Sequence, residues 1–204
     1  GLVYASRGKY DQALEFSGRQ LAICTVLGDR RGVSSAIGNM GFVCSSRGEY
    51  DLALEFYERM LRICEELGDR SGVSVAMGNI GTVHANRGEY DRALECYERM
   101  LRVCDELGDR NGVSLAIGNM GLVYSSRGEY DRALDGLQRA ATEHREVGNR
   151  EGMVACLLGI ADVVVDLAAN ATQMPEYLPQ YVTDAADATP HLSTVAERHV
   201  DWRA

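Results

Sequence analysis

The sequence predicts an all-α solenoid, in which antiparallel pairs of helices stack one after another along the chain. Three observations support this prediction. First, a Gly-Asn-x-Gly motif returns every forty residues, at positions 38–41, 78–81 and 118–121. Second, the residues around the motif return at the same interval, as expected of a helical repeat protein. Third, apolar residues within each unit recur at spacings of three and four, which is the period of an amphipathic helix.

Each unit is predicted to hold two helices. The first helices are expected over residues 30–47, 70–87 and 110–127. The second helices are expected over residues 10–27, 50–67 and 90–107. A Gly-Asp-Arg linker recurs between units, in which glycine tolerates the left-handed conformation that ends a helix and aspartate caps the next helix. Because the linkers are short, the two helices of a pair must be antiparallel.

The first helix of each unit is unusually rich in glycine, with Gly32, Gly38 and Gly41 in one copy. Each glycine costs about 1 kcal/mol relative to alanine inside a helix. We therefore expect these helices to be stable only within the stack, where the missing side chains allow a neighbouring helix to approach closely.

The repeats divide the chain unequally. Residues 1–28 match only part of a unit and are predicted to be a truncated first repeat. Full repeats are expected at about 29–68, 69–108 and 109–148. Residues 149–169 are predicted to be the first helix of a degenerate further repeat, in which Gly159 replaces the asparagine of the motif. Residues 170–204 contain all three prolines and are expected to form an irregular helical cap on the stack.

Composition and motifs argue against several classes of function. The net charge of −9 disfavours a nucleic-acid backbone as partner. No apolar run approaches the roughly 18–20 residues of a membrane span, and we expect a cytoplasmic protein.

The four histidines do not cluster, and His144, His191 and His199 lie near or within the tail. The six cysteines lack metal-ligand spacing and are expected to be reduced packing residues. No catalytic, cofactor-binding or metal site is predicted, and the chain is not expected to be an enzyme.

The unit Gly-Asn-x-Gly-x-Val-x-x-x-Arg-Gly-x-Tyr-Asp-x-Ala-Leu resembles the tetratricopeptide repeat (TPR) family over residues 1–169. The small first-helix residue of that family falls on Gly41, Gly81 and Gly121. Its turn glycine falls on Gly48, Gly88 and Gly128. The usual period is 34 residues, and the forty-residue variant resembles the Pins/LGN polarity adaptors, kinesin light chain and arrays in bacterial signalling proteins. The resemblance implies a right-handed superhelix whose first helices line a concave groove.

The resemblance also implies which residues line that groove. They are Ser35, Gly38, Asn39, Phe42, Ser46, Gly78, Asn79, Thr82, Asn86, Gly118, Asn119, Leu122 and Ser126. In many peptide-binding members, an asparagine at the positions of Asn39, Asn79 and Asn119 holds the backbone of an extended peptide, since a carboxamide both donates and accepts hydrogen bonds. The glycine beside each asparagine leaves room for that backbone. The alternative is that these asparagines bond only within or between helices.

These observations favour a non-catalytic scaffold that binds an extended or helical segment of a partner protein in its groove, without a cofactor, nucleic acid or membrane. A second hypothesis is a structural or self-associating module of a larger signalling protein, in which exposed repeat ends pair with another copy. A third is that the proline-containing tail occupies the groove as an internal ligand.

Overall fold

The computed structural model describes residues 9–169, and this part of the chain consists of helices joined by short turns. The eight helices in this range are α1 (Tyr10–Val26), α2 (Arg30–Ser46), α3 (Tyr50–Glu66), α4 (Arg70–Asn86), α5 (Tyr90–Leu107), α6 (Arg110–Ser126), α7 (Tyr130–Glu146) and α8 (Arg150–Ala169). Where the sequence predicted helix bounds, the observed bounds agree within one residue. The predicted cap over 170–204, the tail as an internal ligand and residues 1–8 of the predicted truncated repeat lie outside the described residues.

Consecutive helices pack against one another, which confirms the predicted all-α solenoid. Contacts join α1 to α2, α2 to α3, α3 to α4, α4 to α5 and α7 to α8. The helices divide into two compact units, of which the N-terminal unit ends at Ala116 and the C-terminal unit begins at Ile117, within α6. The largest buried side chains of the N-terminal unit include Ile37, Tyr57, Met60, Met77, Ile80, Tyr97 and Met100. Those of the C-terminal unit include Leu134, Leu137, Ile160, Val163 and Leu167.

The linker between repeats ends one helix and caps the next, as the sequence predicted. Gly68 follows α3 with φ of 65°, a left-handed conformation in which glycine avoids the strain of a side chain. The Asp69 side chain then accepts a hydrogen bond from the backbone nitrogen of Gly72 at 2.9 Å. Equivalent caps begin α2, α6 and α8. Each cap of this kind stabilises a helix by about 1 kcal/mol.

Glycine in the middle of the first helices allows the second helix of the same repeat to approach closely. A Cβ atom added to Gly41 would lie 2.8 Å from Cε1 of Tyr57, and one added to Gly81 would lie 2.7 Å from Cε1 of Tyr97. Both tyrosines are buried, so their rings have little freedom to move aside. The expectation that these glycines serve helix packing is confirmed.

Ion pairs at repeat-equivalent positions connect the helices of the N-terminal unit. Arg30 pairs with Glu66, and the equivalent Arg70 pairs with Glu106. Arg87 contacts Asp51 of the preceding repeat, with 2.6 Å between Nη1 and Oδ1. Because the carboxylates are largely exposed, each pair contributes only about 0–1 kcal/mol. The apolar contacts across the glycines therefore dominate the stability of the stack.

His144 is a core residue that the sequence analysis placed only near the tail. It lies inside α7, with 1% of its surface exposed, at the position that Cys24, Cys64 and Cys104 occupy in the earlier repeats. A Cβ atom added to Gly152 would lie 2.7 Å from the imidazole ring. Within the described residues, Nδ1 of His144 has no hydrogen-bond partner. Burial lowers the pKa of this histidine below its ordinary value.

The glycine contacts predict opposite effects of the same substitution at two helical positions. Gly41→Ala gains about 1 kcal/mol of helix propensity but overpacks against Tyr57, which costs about 1–3 kcal/mol, so the free energy of unfolding should fall. Gly18→Ala is the matched control, because no atom lies within 4 Å of the added Cβ in the middle of α1. This control should raise the free energy of unfolding by about 0.5–1 kcal/mol, as measured by urea denaturation. Equal effects of the two substitutions would contradict the packing role of Gly41.

The buried imidazole predicts a loss of stability in mild acid. Burial keeps His144 neutral to a lower pH in the folded protein than in the unfolded chain, which binds a proton at this residue below about pH 6.5. The unfolded state then holds more protons, so the free energy of unfolding falls as the pH drops toward the folded-state pKa, by at most about 1.4 kcal/mol per pH unit. His144→Cys restores the residue of the earlier repeats and should reduce this dependence. Urea midpoints between about pH 7.5 and 5.5 measure it, and an identical slope in the variant would refute the assignment.

Candidate functional site

A groove of about 720 Å³ lies between α2 and α4 in the N-terminal unit. Its α2 wall consists of Arg31, Ser34, Ser35, Gly38, Asn39 and Phe42. Its remaining lining consists of Met60, Cys64, Asp69, Ser71, Gly72, Val75 and Asn79. Met60 and Cys64 are buried residues of α3, so the second helix of the repeat forms the floor. The volume falls within the range of about 300–1,000 Å³ that is common for ligand sites.

Five of the predicted groove residues meet in this groove. They are Ser35, Gly38, Asn39, Phe42 and Asn79. The two asparagines hold equivalent positions of α2 and α4 and are half-buried. Within the described residues, neither carboxamide forms a hydrogen bond to another protein group. Each therefore presents an unused donor and an unused acceptor at the groove surface.

Gly38 has a different structural role from the one that the sequence suggested. It was expected to clear the groove for a bound backbone. A Cβ atom added to Gly38 would lie 2.8 Å from Sδ of Met60, and one added to Gly78 would lie 3.0 Å from Sδ of Met100. Glycine at this position therefore leaves the space that the methionine of the following helix occupies. For Gly38 that methionine is Met60, which forms part of the groove floor.

The floor of the groove is uncharged. Oγ of Ser34 lies 3.1 Å from Sγ of Cys64, and both side chains are buried. Burial raises the pKa of the Cys64 thiol, and the hydrogen bond between Cys64 and Ser34 opposes this shift without reversing it. The thiol is consequently neutral near pH 7, and a neutral thiol is a poor nucleophile. This pair favours a packing role for Cys64 over a chemical one.

Arg31 is a groove residue that the sequence analysis missed. It is exposed, and among the described residues of the lining it is the only cation. No carboxylate of the described residues forms an ion pair with it. Asp69, the only acidic residue that the structure describes in this lining, accepts a hydrogen bond from the backbone nitrogen of Gly72. The available signal was helical spacing, because Arg31, Ser35 and Asn39 lie at i, i+4 and i+8 on one face of α2.

Three predicted groove hydroxyls form hydrogen bonds within their own helices. Ser46 donates to the carbonyl of Phe42 at 2.9 Å, Thr82 to that of Gly78 at 2.9 Å and Ser126 to that of Leu122 at 3.0 Å. Their protons are therefore committed, and only their lone pairs remain available to a ligand. Asn86 lies exposed at the end of α4.

The remaining predicted positions lie in the C-terminal unit. Gly118 is buried, and an added Cβ atom would lie 3.3 Å from Sγ of Cys156 in α8. Asn119 is half-buried. A Cβ atom added to Gly159 would lie 2.9 Å from Cδ2 of Leu122. The Leu122 side chain thus lies over the glycine that replaces the motif asparagine in α8.

The stacked helix pairs and the groove between first helices define a helical-repeat module with a ligand-sized site. The tetratricopeptide repeat model matches residues 1–66 and 72–142, which is more than half of the chain. The chain therefore belongs to the tetratricopeptide repeat family, as its motifs indicated.

Several solved structures share the fold. BtubC (BKLC) from P. vanneervenii is 18% identical with a TM-score of 0.75, over 93% of this chain and 77% of that one. The signal transduction ATPase with numerous domains from Pyrococcus horikoshii, which has a TPR sensor, is 14% identical with a TM-score of 0.74, over 97% and 29%. NprR in complex with its cognate peptide NprX is 16% identical with a TM-score of 0.63, over 94% and 57%. At these identities the likeness shows the fold alone.

No curated protein matches this sequence. Within residues 9–169, every helix falls short of the length or apolar character that a bilayer-spanning segment needs.

Proposed function

We propose that this chain is a non-catalytic interaction module that binds a segment of a partner protein in the groove between α2 and α4. One observation carries the proposal. Asn39 and Asn79 enter the same groove from equivalent positions of two repeats, and neither carboxamide is used by the described part of the protein. A pair of uncommitted carboxamides matches the alternating donors and acceptors of a peptide backbone.

Apolar surface beside the asparagines supports the same function. Phe42 is 43% exposed and Val75 is 49% exposed, and both line the groove. Burial of apolar area supplies most of the favourable free energy in protein association, whereas polar groups fix orientation. The structural neighbour NprR was solved with a cognate peptide, which is consistent with peptide recognition by this fold.

The proposal places the module in the cytoplasm. All six cysteines lie within the described residues and are free thiols, of which four are buried. Proteins of oxidising compartments tend to pair their cysteines, whereas cytosolic proteins keep them reduced. A buried, unpaired set therefore favours a reducing environment.

Self-association is the second candidate function, and the exposed face of α1 favours it. Ile23 and Val26 of α1 are 60% and 87% exposed, whereas Ile63, at the position of α3 that is equivalent to Ile23, is half-buried against the core of the unit. The end of α1 thus presents apolar surface at a position that is covered in the next repeat. Another copy of the chain would bury it in an end-to-end contact.

The proposed role of Asn39 and Asn79 predicts that replacing both side chains weakens the binding of peptides. Peptides selected by the full chain from a library of random dodecapeptides serve as the probe. The double variant Asn39→Ala/Asn79→Ala should bind them about 5- to 150-fold more weakly, as expected for the loss of about 1–3 kcal/mol of buried hydrogen bonding. Fluorescence anisotropy measures the affinities.

The control for this variant is Gln20→Ala, which removes an exposed carboxamide from α1, outside the groove lining. It should leave affinity unchanged, and the unfolding midpoints of all variants are compared to confirm folding. Selected peptides that bind the double variant as tightly as the wild type would show that the asparagines do not hold the ligand.

The α1 face predicts a concentration-dependent change of mass. If the chain self-associates through this face, light scattering across a concentration series should show dimer formation. The double variant Ile23→Glu/Val26→Glu should then remain monomeric, since two carboxylates at the contact would have to be desolvated. Arg59→Glu on the outer helix α3 is a charge-matched control and should not change the mass. A monomer at every concentration would exclude this function for the chain.

A further inference from the structure

We infer that the thioether of Met60 and the thiol of Cys64 form a binding site for a soft monovalent metal ion, Cu(I) or Ag(I), in the floor of the groove between α2 and α4. The site is separate from the proposed binding of a partner segment, because the metal ion alone is its ligand. Three features support the site: the placement of the two sulfur atoms, the charges around the thiol and the recurrence of the arrangement in the next repeat.

The two sulfur atoms come from one face of one helix. Met60 and Cys64 lie four residues apart on α3, a spacing that places two side chains next to each other, with about 5–6 Å between their Cβ atoms. Both residues line the groove. A Cβ atom added to Gly38 would lie 2.8 Å from Sδ of Met60, and one added to Gly72 would lie 2.5 Å from Sγ of Cys64. Each sulfur atom therefore occupies space that a glycine of the groove wall leaves open.

This pair of ligands selects a soft ion. Thiolate and thioether sulfur bind Cu(I), whereas Mg²⁺ and Ca²⁺ prefer oxygen ligands. Zn²⁺ usually takes four ligands from cysteine, histidine and carboxylate groups. Among the described residues, no group of three or more such side chains could hold a metal ion. The methionine side chain has three rotatable bonds, so its thioether can turn toward the neighbouring thiol.

Binding exchanges a proton for the metal ion. The S–H bond of Cys64 breaks, the proton leaves to solvent, and the thiolate forms a sulfur–metal bond while the thioether of Met60 donates a lone pair. One thiolate and one monovalent cation give a neutral complex, which avoids the cost of leaving a net charge among buried side chains. Oγ of Ser34 lies 3.1 Å from Sγ of Cys64 and can donate its proton to the thiolate.

The charges around the thiol favour a cation. The Cβ atom added to Gly72 would also lie 2.9 Å from Oδ2 of Asp69, so this carboxylate lies beside the sulfur of Cys64. Glu65 is close enough to act on the same thiol through its charge, although it is paired with an arginine of α5. The described lining also holds the cation Arg31, which is exposed, so solvent and salt screen its repulsion.

The same arrangement recurs one repeat later. Met100 and Cys104 lie four residues apart on α5. A Cβ atom added to Gly78 would lie 3.0 Å from Sδ of Met100, and one added to Gly112 would lie 2.5 Å from Sγ of Cys104. Cys104 is hydrogen-bonded to Ser74, as Cys64 is to its serine. We therefore expect a second, equivalent site.

The test is an anaerobic titration of the full chain with Cu(I), in competition with a chromophoric Cu(I) chelator. The wild type should bind two ions, and Cys64→Ala should bind one fewer. Met60→Leu conserves the side-chain volume and should weaken one site by at least the roughly tenfold loss that removal of an outer-shell partner causes. Unfolding midpoints of the metal-free variants show whether they fold. Zn²⁺ added in place of Cu(I) should not bind.

Met40→Leu is the matched control. Met40 and Cys44 have the same spacing on α2, but neither residue lines the groove. The thiol of Cys44 is hydrogen-bonded to Glu49 instead of a serine. This variant should retain the number of bound ions and the affinity of the wild type, and a loss equal to that of Met60→Leu would contradict the groove site.

X-ray absorption at the copper edge identifies the second ligand directly. In protein labelled with selenomethionine, selenium should appear among the nearest neighbours of copper. Copper without a selenium neighbour, or Met60→Leu that binds as tightly as the wild type, would overturn the inference. Wild type that fails to compete with the chelator, or folded Cys64→Ala that binds as many ions as the wild type, would overturn it as well.

Discussion

The stack depends on the close approach of two helices at glycine. Where Gly41 faces Tyr57, a single added carbon would lie inside the contact distance of a buried ring. Glycine costs about 1 kcal/mol at each helical position, so the first helices gain their stability from packing and not from propensity. The exposed ion pairs between repeats cannot replace this contribution, because each is worth about 0–1 kcal/mol. Each glycine-rich helix is therefore stable only when it packs against its neighbours.

The same close packing creates the groove. Gly38 admits Met60 of the following helix, and the methionine then closes the floor between α2 and α4. The face of each first helix that does not pack against the second helix lies outside the core, so its residues can be polar. Asn39 and Asn79 lie on that face, half-buried and beside exposed apolar side chains. Stability and the candidate site are thus properties of opposite sides of one glycine-rich helix.

Most of the fold could be predicted because the information is local and repeated. The helical spacing of apolar residues, the Gly-Asp linker and the positions of the glycines each recur several times in the sequence. A pattern that recurs at a fixed interval rarely arises by chance, so each copy supports the assignment of the others. The role of Gly38, the floor residue Met60 and the charge of Arg31, which has no ion pair within residues 9–169, were missed, because each depends on what a different helix places opposite it. The burial of His144 was missed because the residue was grouped with the histidines near the tail, although its position follows the register of Cys24, Cys64 and Cys104.

The degenerate repeat differs from the regular repeats in the side chains at the Gly-Asn positions of its first helix. In the N-terminal unit this face combines small residues with asparagines that have unused hydrogen-bonding groups. In α8 of the C-terminal unit, Leu158 replaces the glycine and is 53% exposed, while Gly159 replaces the asparagine and is covered by Leu122. A leucine over a glycine satisfies packing but offers no hydrogen bond to a peptide backbone. Under the proposed function, the groups that would bind a peptide backbone belong to the regular repeats, whereas the degenerate repeat presents apolar surface at the equivalent positions.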